Sequence, residues 1–211
     1  MLYSFNYLAL STISVASHRV GNSWEWYVIR AAGFIAAGLL MLLMLSGIGQ
    51  VTGLTYKYIE PVKAWALHKA MALALVVTII IHVTFLLFDH YIKFTIPQVL
   101  IPFLSKYNNK TNFGGLALSG LAVTFGIVAM YGVFIIVLSS LGWIDTKKKA
   151  WHRLHYLGYF VVLMLFLHGL YTGTDLRYGV FRMAWIFAGL IVFVAILMRV
   201  IRAGVLTKKH D

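Results

Sequence analysis

WHRLHYLGYFVVLMLFLH, residues 151–168, sets His155 and His168 at the ends of an apolar run interrupted only by two tyrosines and a glycine. HKAMALALVVTIIIH, residues 68–82, repeats the pattern with His68 and His82. An ionisable side chain inside an apolar span is costly, rare and usually functional. One such histidine per span would suffice for packing between helices. At about 1.5 Å per residue each pair is separated by roughly 20 Å along its helix. Four histidines so placed describe two sites stacked across a membrane.

Composition agrees with a membrane. The chain is 61% apolar and 11% charged over 211 residues, where a soluble domain carries about 25% charged residues. The apolar excess lies in long uncharged runs, which makes an all-α, polytopic membrane protein the expected class. The net charge of +12 raises the question of nucleic acid. The basic residues sit in short connectors rather than on one face, the usual consequence of cytoplasmic Lys/Arg enrichment, so no nucleic-acid partner is expected. The absence of cysteine excludes disulfides, zinc ribbons, iron–sulfur clusters and covalent c-type haem.

Outward from the histidines, five spans emerge. Residues 1–23 are mixed and read as an interfacial helix or loop, with a sixth span as the alternative. Trp24, Trp26 and Tyr27 form an aromatic cluster typical of a membrane boundary. The stretch from Ala31 to Tyr56 is uncharged and gives a first span ending near Gly47–Gly49. The second runs from about Pro61, suited to a first helical turn, to Phe88. The connector 89–112 leaves the bilayer, with Ile96 to Leu104 apolar enough to lie along the interface. The third span takes 113–143, the fourth 150–172 and the fifth 181–203, so 24–203 forms one transmembrane domain and 204–211 a short tail.

Five spans put the two ends of that domain on opposite sides. With a cytoplasmic C-terminus, eleven Lys and Arg fall inside (Lys57, Lys63, Lys69, Lys147–Lys149, Arg153, Arg199, Arg202, Lys208, Lys209) and seven outside. The positive-inside rule favours that orientation, in a bacterial plasma membrane. The second and fourth spans then run in the same direction. His68 and His155 share the inner level, and His82 and His168 the outer.

Two imidazoles facing each other across a gap between helices suit the axial positions of a haem iron, and bundle interiors commonly hold such cofactors. Structural zinc normally takes four ligands, whereas each level offers two histidines and no nearby carboxylate. Without cysteine, the haem is b-type. The spacing contains one difficulty. A 14-residue step leaves His68 and His82 about 40° from eclipsed, whereas the 13-residue step from His155 to His168 is about 220°. Either the fourth helix is distorted, with Gly158 the expected place, or the outer haem is turned relative to the inner one.

Thirteen residues between the histidines of one helix and twelve between those of the other resemble the ferric reductase-like transmembrane domain. Its superfamily includes NADPH oxidases, ferric reductases and the haem subunit of methionine sulfoxide reductase systems. The string Trp151-x3-His155-x3-Tyr159-x8-His168-Gly169 is similar to bacterial members in particular, and the resemblance covers residues 24–203. It implies two b-type haems stacked between the second and fourth spans, ligated by His68 with His155 and by His82 with His168. It also implies that Arg30 contacts a haem propionate, with Arg177 and Arg182 next in line. Relatives often place an aromatic residue between the haems. The midpoint here is Val161 and Val162, with Phe160 beside it.

The expectation is therefore the cytochrome b subunit of an oxidoreductase, carrying electrons across the membrane. No Gly-x-Gly-x-x-Gly occurs and few residues follow the last span, so a separate cytoplasmic flavoprotein, or diffusible flavin or quinol, is the expected donor. Ferric iron, oxygen or a partner reductase is the expected external acceptor. The alternative is a transporter or channel whose histidines relay protons or bind metal. A structural subunit with vestigial sites is a third reading. His152 is a rival to His155 as ligand, His90 reads as a solvated loop residue, and Lys147–Lys149 with Arg153 offers a docking patch for an acidic partner.

Overall fold

The structure, a computed structural model, describes residues 24–90, 92–107 and 119–207 as helices, turns and loops, with no strand among them. The segment expected as an interfacial helix or sixth span at 1–23 lies outside the described residues. So do the asparagine-rich patch at 108–112 and residues 208–211.

Helix α1 (Trp24–Val51) begins two turns before the uncharged run, so Glu25 and Arg30 are helical. Glu25 in the first turn meets the positive end of the helix dipole. The chain reverses through Gly53, at φ +75°, a conformation that glycine adopts without steric cost. A 3-10 turn at Thr55–Lys57 follows. Helix α2 (Pro61–Phe88) starts with its proline in the first turn, as the sequence predicts. It stops at Asp89, whose carboxylate Oδ2 accepts from the Ile92 N–H at 3.2 Å.

The interfacial stretch holds one short helix, α3 (Ile96–Leu100). It is tied down by the Tyr131 hydroxyl, which donates to Leu100 O at 2.7 Å. Helix α4 (Ser119–Trp143) is followed by α5 (Lys148–His155) and α6 (Leu157–Thr172), then by α7 (Gly179–Thr207). Counting α5 and α6 together, five helices among the described residues are long and apolar enough to cross a membrane.

The distortion expected near Gly158 is found two residues earlier. Tyr156 is a turn between α5 and α6, its N–H donating to His152 O at 3.1 Å while the Tyr159 N–H returns to Tyr156 O at 3.2 Å. The 13-residue step from His155 to His168 therefore spans the junction of α5 and α6 rather than one uninterrupted helix. Gly158 instead makes room for packing, with Met44 Cε and Ile136 Cδ1 at 3.6 and 4.0 Å from where its Cβ would be.

Two helix pairs build the bundle, α1 against α2 and α4 against α6, and α1 also touches α6 and α7. The helices that carry the paired histidines, α2 on one side and α5 (His155) with α6 (His168) on the other, share no such packed interface. A slot is left between them. At its middle lies an aliphatic layer of Leu40, Leu75, Ala129, Val133, Val161 and Met164. Val161 is 1% exposed, whereas the neighbouring Phe160 faces outward at 49%. The layer between the two histidine levels is thus built by valine, leucine and methionine. Outward-facing Val77, Ile80, Phe187 and Leu190 give the bundle the apolar exterior that lipid requires.

The α4–α6 contact depends on Gly132, whose Cβ would collide with Val161 Cγ2. Gly132→Leu should cost about 1–3 kcal/mol through overpacking and lower the thermal unfolding midpoint in detergent. Val161→Ala in the same chain should recover part of the loss. An unchanged midpoint in the single variant would contradict this packing.

Candidate functional site

The two histidine levels are built on one plan with different parts. At the level of His82 and His168, both rings lean on main-chain carbonyls. His82 Nδ1 lies 2.9 Å from Ile29 O of α1, and His168 Nδ1 lies 2.8 Å from Ala122 O of α4. A carbonyl oxygen only accepts, so each Nδ1 carries the proton and each Nε2 presents its lone pair. Each ring reaches a carbonyl in a helix because a glycine stands one turn further on. Gly33 follows Ile29 by one turn, and a Cβ there would lie 3.2 Å from His82 Cε1. Gly126 stands in the same relation to Ala122, and its Cβ would lie 2.5 Å from His168 Nδ1.

At the other level His68 and His155 face each other, with ring centres 6.3 Å apart and planes inclined at 44°. His68 Nδ1 lies 3.3 Å from Ser46 Oγ, which also accepts from Gln50 Nε2 at 3.1 Å. His155 Nδ1 is buried without a hydrogen-bond partner. Its ring packs instead on Trp151, centres 5.1 Å apart, and the Trp151 indole donates to Ser140 Oγ at 3.0 Å. The rival, His152, turns away on the exposed face, its Nδ1 3.0 Å from Lys148 O. His90 is also exposed, 3.7 Å from Glu25.

A largely apolar cavity runs from His82 and His168 toward the end of the bundle that carries the α1 start, bounded by Trp26, Arg30, Asp89, Phe94, Tyr107 and Asp175. Arg30 lies over the Trp26 ring, 3.9 Å from its centre, and makes a two-pronged ion pair with Asp175 through Nε and Nη2. That pair ties α1 to the loop after α6. Arg182 donates to the carbonyls of Leu176 and Arg177 in the same loop, and the Nε of Arg177 is buried without a partner. Burial raises the Tyr107 phenol above its ordinary value, with Arg177 opposing and Asp89 adding to the shift, so the hydroxyl stays protonated at the rim.

Sequence reasoning missed Asp175, Ser46, Ser140 and the two glycines. One signal was present. Gly33 and Gly47 on α1 are separated by the same 14 residues as His68 and His82, and in an antiparallel pair each glycine meets one histidine. Asp175 had no such signal, because only the fold brings it beside Arg30.

A family model described as ferric reductase like transmembrane component matches residues 32–166. That is more than half of the chain, and the chain belongs to this family. The match contains His68, His82 and His155 and stops two residues before His168. Comparison with curated proteins and with solved structures returns no match. Domains of this family generally bind haem, and the residues present fit such a group. Two imidazoles sharing one metal ion at about 2 Å each have ring centres roughly 6 Å apart, which is the spacing of His68 and His155. The slot between α2 and α6, the free Nε2 atoms and the glycines against the rings agree with the same occupant. Among the described residues no group of three or more His, Asp or Glu converges on a point where a bare ion could be held.

Histidine nitrogen NMR of the purified protein should find His82 and His168 as Nδ1-protonated tautomers. Gly126→Ala should abolish that signature for His168 and leave it for His82. An Nε2-protonated His168 in the unsubstituted protein would contradict the assignment.

Proposed function

We propose that this ferric reductase-like chain is a transmembrane electron conduit, with His68 and His155 as axial ligands of one b-type haem and His82 and His168 as ligands of a second. The spacing of His68 and His155 across the slot carries the reading. Each haem, when bound, supplies one-electron exchange between ferric and ferrous iron. The chain's own residues do the rest. Main-chain carbonyls hold the His82 and His168 rings with Nε2 toward the slot. Two imidazoles at each level would hold such a group from both sides, which would leave oxygen no direct place on its iron. The aliphatic layer of Leu75, Val161 and Met164 keeps water from the path between the levels.

Arg30 is the cation assigned to the carboxylates of the cofactor at the His82/His168 level. A guanidinium has five N–H donors, and Asp175 engages the Nε and Nη2 side, leaving Nη1 for a second carboxylate. Arg177 and Arg182 stand nearby in the same loop. The side rich in Lys and Arg, with Lys147–Lys149 exposed beside His155, is the cytoplasmic one. There a flavoprotein, reduced flavin or quinol is the donor, drawn to the basic face by charge complementarity. The acceptor is external: ferric iron, oxygen or a partner reductase.

Sealed vesicles with the Lys-rich face inside test this direction. Trapped flavoreductase with NADH should reduce both haems, and an external impermeant ferric chelate should reoxidise them. His82→Ala should slow that reoxidation by at least tenfold while sparing reduction at the His68/His155 level. Reduction of that level by an external impermeant reductant in the variant would reverse the assignment.

A further inference from the structure

The sites repeat along α1 and α4, and one of the repeats is broken. Fourteen residues on from Ile29 and Gly33 lie Leu43 and Gly47. Gly47 keeps the glycine's role, since its Cβ would lie 3.7 Å from His68 Cε1. His68 nevertheless uses the Ser46 hydroxyl, at 3.3 Å. Fourteen residues on from Ala122 and Gly126 lie Ile136 and Ser140. Here the carbonyl corresponding to the one that serves His168 is already taken. Ser140 Oγ donates to Ile136 O at 2.7 Å, and Ser139 Oγ donates to it at 3.0 Å. His155 Nδ1 is the atom left without a partner.

We infer that Ser46 is the positioning residue for His68, and that Ser139 and Ser140 together withhold from His155 the carbonyl that His168 has. The His68/His155 level is then set by side chains, while the His82/His168 level is set by main chain. This rests on the reading of the four histidines as axial haem ligands. An imidazole whose far N–H is bonded to an acceptor is a stronger donor to its metal, and such partners tune redox potential. A hydroxyl already accepting from Gln50 Nε2 is a weaker acceptor than a helix carbonyl, and His155 has none. Change at these serines therefore moves one haem without touching the other.

The test is a redox titration of the purified, haem-loaded full-length chain, with electron paramagnetic resonance of its low-spin ferric signals. The haem at this level is the one that His155→Ala removes. Ser46→Ala should raise that haem's midpoint and shift its resonance, leaving the other haem unmoved. Ser46→Thr, which keeps the hydroxyl, should restore both values. Ser139→Ala combined with Ser140→Gly, which together free Ile136 O and open space beside it, should move the same midpoint down. Loss of that haem in Ser46→Ala with retention in Ser46→Thr also supports the role. Equal loss in Ser46→Ala and Ser46→Thr, shifts of one sign in Ser46→Ala and in the Ser139→Ala/Ser140→Gly variant, or no shift at all would overturn it. Unsubstituted protein that carries two haems alongside unresponsive variants sinks this inference alone. Unsubstituted protein without haem sinks the ligand reading with it.

Discussion

An imidazole in the middle of an apolar bundle needs both of its nitrogens accounted for. A buried polar atom without a partner costs about 1–3 kcal/mol, and lipid offers no water to reduce that. The hydrogen bonds from His82 to Ile29 O and from His168 to Ala122 O settle one nitrogen of each ring. The other is left pointing into the slot. Much else follows from these two bonds. They require glycine at positions 33 and 126, and they draw α2 onto α1 and α6 onto α4. The two pairs meet through α1 against α6 and through α2 against α4, while α2 and α6 share no packed interface.

This explains why the helices that bear the four histidines, α2 on one side and α5 with α6 on the other, do not pack together. In most bundles the buried faces of neighbouring helices meet. Here each histidine helix is held from behind by a partner helix that supplies acceptors and small residues. Only the aliphatic layer at the midpoint, with Leu75 and Val161 at its centre, closes the interior between the levels. The Arg30–Asp175 pair fastens the far end, connecting α1 to the loop after α6.

Much of this was legible in the chain. Uncharged runs marked all five spans, and Pro61 marked the start of α2 to the residue. The matching spacings of the histidines indicated two levels before any coordinates. The 13-residue step from His155 to His168 was legible only as a conflict with a regular helix. The junction at Tyr156 that interrupts this step depends on local backbone geometry that no side chain at that position announces. The start of α1 was placed late, because charge at Glu25 and Arg30 reads as an end of a span although both lie in its first two turns. Asp175 and Ser140 were invisible, since the partners that give them meaning lie 145 and 11 residues away in the chain. Ser140 and Trp151 sit on different helices, and so no helical period relates them.

The central claim is that each histidine pair shares one haem iron, and the most direct measurement is cofactor content and spin state of the purified protein. The account predicts two non-covalent b-type haems per chain, a sharp Soret band, split visible bands after dithionite, and low-spin ferric signals of bis-imidazole type. Replacing either member of a pair should remove one haem. Colourless protein that retains stoichiometric zinc instead would contradict it.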